Sequence, residues 1–179
     1  MSFQPKFTNQ QETRGEVHAF SGPEWLVGVG FRCWLAGYET GDITCWENGW
    51  NTFNRVLGPA RAKRAVTELA CWVRATRAAA ARKIEYNALD SRRFCADECM
   101  AMSLIAASQD HRCPAMQACA LALTGSDTVD PVIDAANAFA DALDEADYRL
   151  NQEIVAVLIA SEARSHGFGS HGGSLSVPR

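Results

Sequence analysis

The chain has 179 residues, 47% of them hydrophobic and 21% charged, enough for one domain to bury a core without disulfides or metal. Its net charge of -4 disfavours DNA or an anionic membrane as an overall partner. No apolar run is long enough to span a bilayer and the first residues carry no apolar signal segment, so the expected compartment is the cytoplasm.

Residues 1–20 are polar and aperiodic and read as a mobile arm. Residues 165–179 are rich in Gly and Ser and read as a flexible tail. Residues 21–164 between them form the expected helical domain. Alanine is abundant there, which favours helix before any pattern is considered.

A first helix is expected over about 22–38. Ser21-Gly22-Pro23-Glu24 resembles a capping box, and Val27, Phe31, Trp34 and Tyr38 form one helical face. Val27, Val29, Phe31 and Cys33 also alternate as in a strand, but no second strand is evident to pair with them. Ile43, Trp46, Trp50, Phe53 and Leu57 mark a second helix over 42–57, with Asp42 as N-cap and Gly58-Pro59 as its stop. Trp25, Trp34, Trp46 and Trp50 all fall in these two helices, which should pair as a hairpin against the rest.

A third helix is expected over 59–84, with Ala62, Val66, Leu69, Val73 and Ile84 along its apolar face. Asn87 to Asp90 then turn. A fourth helix over 91–109, with Ser91 as N-cap, is apolar nearly all round and belongs at the centre of a bundle. A fifth helix follows from Pro114 to Leu123 and ends at Gly125. The sixth starts at Asp130 and extends to Ala163, on seven-residue repeats such as Ala136, Leu143, Leu150 and Val157. The fold class is therefore all-α, an irregular single-domain bundle of about six helices.

The fourth helix carries the residues with most chemical potential. Cys95, Cys99 and Met102 share one face, and such soft ligands suit zinc or Cu(I). His111 and Cys113 stand within a turn of its end, but Cys-x3-Cys followed by His-x-Cys matches no standard zinc pattern. A redox role would pair Cys95 or Cys99 with Cys71 or Cys113. Arg92 and Arg93 beside Cys95 would favour its thiolate. The plainer reading treats the seven cysteines as small buried hydrophobes in a reducing compartment.

Asp97 and Glu98 are the only charges beyond the start of that helix. A buried carboxylate needs a partner, and the arginines of the third helix are natural ones. The commoner arrangement leaves such acids at a wet helix N-terminus, where negative charge is favoured. Charge is also divided along the chain. Eight basic residues and one acid lie between Arg55 and Lys83, against eight acids and one base between Asp130 and Glu162. The simplest consequence is that these two segments face each other. The basic residues spread over the whole polar arc of their helix, which argues against a nucleic-acid stripe.

No nucleophile elbow, zinc-protease motif or phosphate loop is present. The reading is a non-enzymatic protein acting through protein–protein contact as a regulator, adaptor or accessory subunit. Trp46 and Trp50, with Asp97 and Glu98, are the candidate contact residues. The alternative is a thiol-based metal or redox sensor. The oligomeric state is open, a homodimer included.

Overall fold

The structure, a computed structural model, describes residues 22–151 and residue 153. The expected arm at 1–20, the tail at 165–179 and the end of the expected sixth helix lie outside the described residues. Within them the fold is all-α, with six helices: α1 (Pro23–Thr40), α2 (Ile43–Leu57), α3 (Pro59–Ala79), α4 (Ala96–Gln109), α5 (Cys113–Thr124) and α6 (Asp130–Asp144). No strand occurs among the described residues, so the alternating stretch at 27–33 is helical.

α1 and α2 form the expected hairpin. Gly41 closes α1 in the left-handed conformation, and the Asp42 carboxylate accepts from the Thr44 N–H to open α2. Gly58 then serves both as the end of α2 and the start of α3, so only one residue separates these helices. α3 packs most extensively on α6, which brings the basic segment against the acidic one as the charge pattern requires. Arg64 pairs with Glu145 across that seam, although both side chains remain more than half exposed and the pair adds little stability.

Four elements meet at one aromatic cluster. Trp72 of α3 stacks on Phe139 of α6 at 5.6 Å and meets Phe31 of α1 at 5.3 Å. Phe53 of α2 reaches the same Phe139 ring at 6.3 Å. All four rings are fully buried, and together they tie the hairpin to the bundle. α4 lies between α1, α5 and α6, with residues from Ala101 to Gln109 buried apart from Ser103. Its expected central position is correct.

Several boundaries differ from the sequence expectation. At the start of α1, Gly22 is the N-cap and makes no side-chain bond. Glu24 is buried and accepts instead from the Asn151 N–H, so the acid fastens the far end of the described chain rather than capping its own helix. α3 stops at Ala79 rather than 84. The Ala81 N–H donates to the Thr124 carbonyl at 2.9 Å, and Arg82 reaches the Ala122 carbonyl at 3.0 Å. These bonds satisfy the orphan carbonyls at the end of α5 and outweigh the helix preference of the Ala78–Ala81 run.

α4 starts at Ala96 rather than near Ser91, with Cys95 as N-cap. The carbonyls of Ser91 and Arg93 are taken by the Arg32 side chain, so 91–94 cannot close helical turns. α6 stops at Asp144, and Asp147 adopts a left-handed φ of 56°. Leu150 is still buried, as its repeat position implies, but it packs from an irregular segment. Its N–H and the Tyr148 carbonyl both bond the Gln109 side chain, which ends the helical run early.

Candidate functional site: a cleft with a pinned wall

The segment 80–95 runs as an irregular strap between α3 and α4, and its position is set from below by Arg32. Arg32 is the only charge between Leu26 and Leu35 and is fully buried. A buried guanidinium must have every N–H engaged and its charge balanced. Nε donates to Glu98 Oε1 at 2.5 Å and Nη2 to Glu98 Oε2 at 3.2 Å, a two-pronged ion pair. Nη1 donates to the carbonyls of Ala88 and Ser91, at 3.2 and 2.7 Å, and Nη2 to that of Arg93 at 2.6 Å. These bonds match the five donors of a guanidinium, whose face also lies 5.1 Å from the Phe94 ring centroid.

Glu98 is equally buried, and it also accepts from the Cys95 N–H at 2.8 Å at the start of α4. Asp97 next to it accepts from both Arg82 terminal nitrogens, at 2.6 and 2.7 Å, and from the Glu85 N–H at 2.8 Å. The strap is thus held at Glu85 by one acid, and at Ala88, Ser91 and Arg93 by the partner of the other. Phe94 itself packs on α1 where Gly28 leaves room. A Cβ at position 28 would stand 2.5 Å from its ring.

Between this strap and the α1–α2 hairpin lies an open cleft of about 670 Å³. Trp25, Val29 and Leu89 provide its apolar surface, and Asn48, Asn51 and Thr52 present polar groups from α2. Arg55 enters from α2, while Asp90, Ser91 and Arg92 enter from the strap. Arg55 and Arg92 are exposed, and neither makes a side-chain hydrogen bond or ion pair among the described residues. Buried Cys33 forms part of the floor, with its thiol pushed up to about 11 by burial and by nearby Cys45.

The residues singled out from sequence fall elsewhere. Asp97 and Glu98 are buried inside the ion-pair network, so they are not available as a contact surface. They have the arginine partners that burial demands, but one of these is Arg32 of α1 and the other, Arg82, lies on the strap rather than in α3. Trp46 is half-buried, set edge-on to Tyr38 at 5.8 Å. Trp50 is 37% exposed on α2 and does not line the cleft.

The cysteine expectations also change. Cys95 is not within the first turn of α4 but precedes it, and its thiol donates to the Glu85 carbonyl. Burial, with Glu98 nearby, pushes that thiol up to about 11, against the thiolate expected from Arg92 and Arg93. Cys99 is buried, whereas His111 and Cys113 are exposed past the other end of α4. At 1.5 Å rise per residue the two ends of this helix are about 20 Å apart, too far for one metal to bridge. Among the described residues no three His, Cys, Asp or Glu side chains form a metal-holding group.

Neither Arg32 nor the part of the strap that lines the cleft is among the residues expected from sequence to form a site. A single arginine inside ten otherwise uncharged residues of an apolar helix was the available signal. Compared with protein families, curated proteins and solved structures, the chain matches none of them. The fold and cleft therefore define its class: an all-α protein with a preformed, partly cationic surface cleft.

Proposed function

We propose that this chain is a non-enzymatic helical binding protein of the cytoplasm, acting through protein–protein contact as a regulator, adaptor or accessory subunit, with the α1–α2–strap cleft as its contact site. The observation that carries the reading is the pairing of two arginines, unpartnered among the described residues, with a wall fixed in advance by a buried guanidinium. A rigid wall removes ordering cost from binding, and exposed cations without internal partners are free to meet a partner's acids. A cytoplasmic setting is supported by all seven cysteines being free thiols. No helix among the described residues is long and apolar enough to cross a membrane.

Affinity capture from native lysate, run in parallel with wild type and Arg55→Ala/Arg92→Ala, tests the reading. The prediction is a defined set of proteins retained by wild type and lost from the double variant at unchanged melting temperature. Equal retention by both, or none by either, would overturn it.

A further inference from the structure

Resting on that reading of the cleft, we propose that its occupant is an extended acidic peptide segment of a partner protein, carrying a carboxylate side chain next to a large apolar one. The volume suits a few residues of chain rather than a folded surface. Arg55 and Arg92 approach from opposite walls, the first on α2 and the second on the strap. Planar guanidiniums match a carboxylate through paired N–H donors, and neither is spent internally among the described residues. Trp25, Val29 and Leu89 offer the apolar surface, and Leu89 is 40% exposed with no cover from the described chain.

Peptide chemistry is indicated by the remaining groups. Asn48 and Asn51 are exposed one turn apart on α2, and each amide both donates and accepts, as a peptide backbone requires. Asp90 supplies a further acceptor for a backbone N–H. The same carboxylate opposes a doubly charged phosphate, so an ordinary Asp or Glu is the better match. The strap cannot swing away to admit something larger, because Arg32 holds three of its carbonyls.

The test is an array of short peptides differing in net charge, each with one central Leu or Phe, followed by fluorescence polarisation on the best sequences. Acidic peptides should bind preferentially, and more weakly as salt rises. Arg55→Gln or Arg92→Gln should each weaken binding about tenfold, the worth of one charge-assisted bond pair. Asp90→Asn should strengthen it severalfold, an effect that a purely structural role for Asp90 would not produce. Preference for basic or phosphorylated peptides, or indifference to charge, would overturn the proposal. So would equal competition by free glutamate, which would mark a small-acid site. If lysate proteins depend on Arg55 and Arg92 while acidic peptides show no preference, the peptide chemistry falls and the contact reading stands. If neither dependence appears, both fall.

Discussion

Arg32 occupies a position that an isolated charge could not hold. Its burial is tolerated because Glu98 balances the charge and three strap carbonyls complete the donor set. Removing one member of such a pair leaves the other charged and unpaired, at a cost of about 3–5 kcal/mol. Arg32→Met should therefore lower stability by about that amount in urea denaturation. Arg32→Lys should not restore it, because an ammonium cannot span Glu98 and the separated carbonyls together. A loss under about 1 kcal/mol would show that the network is weakly coupled to folding. Cys33 and Cys95 belong to the same scale. Both thiols are pushed up to about 11 from an ordinary value of 9.0. Below pH 9 both the folded and unfolded chain keep these protons. Between 9 and 11 only the folded state does, so stability should fall as pH rises through that window. Cys33→Ala/Cys95→Ser should flatten the decline, and an unchanged slope would assign it to other groups.

At the scale of elements, helix existence was legible, and helix ends were legible where local signals set them. The periodic faces of α1, α2 and α5 and the signals at Asp42, Gly58 and Gly125 placed those helices within a few residues. These signals act locally, through backbone groups near in sequence. The ends of α3, α4 and α6 are set by partners far away, at Thr124, Arg32 and Gln109. No local pattern around Ala79, Ser91 or Asp144 encodes them. The acids of α4 were legible as a problem, since Asp97 and Glu98 in an apolar helix require an explanation. Their arrangement was not, because the partner of Glu98 is Arg32 of α1, 66 residues away, and that of Asp97 is Arg82 on the strap. Gly28 shows how tightly α1 and the strap are matched. In an exposed helix Gly→Ala would gain about 1 kcal/mol of propensity. Here a methyl would press on Phe94, and overpacking costs about 1–3 kcal/mol. Gly28→Ala should thus lower the thermal midpoint and loosen the strap in hydrogen exchange. A raised midpoint would show that Phe94 can move freely.

For the molecule as a whole, the aromatic cluster of Trp72, Phe31, Phe53 and Phe139 fixes the hairpin on the bundle, and the ion pairs fix the strap on the hairpin. The cleft is the space left between two parts whose relative position is determined twice over. It gathers exposed polar and cationic groups from segments that are about 40 residues apart in sequence, which is why no motif announced it. The aromatic residues that drew notice in the sequence, Trp46 and Trp50, lie outside it. Under the proposed function, partners meet the protein at this cleft. Photo-crosslinking tests it most directly, with benzoyl-phenylalanine replacing Leu89 on the cleft rim or Leu121, an equally exposed leucine of α5. Discrete adducts are expected from position 89, disappearing in the Arg55→Ala/Arg92→Ala background, and none of the same adducts from position 121. The same adducts from both positions, or adducts from 89 that survive loss of the two arginines, would contradict it.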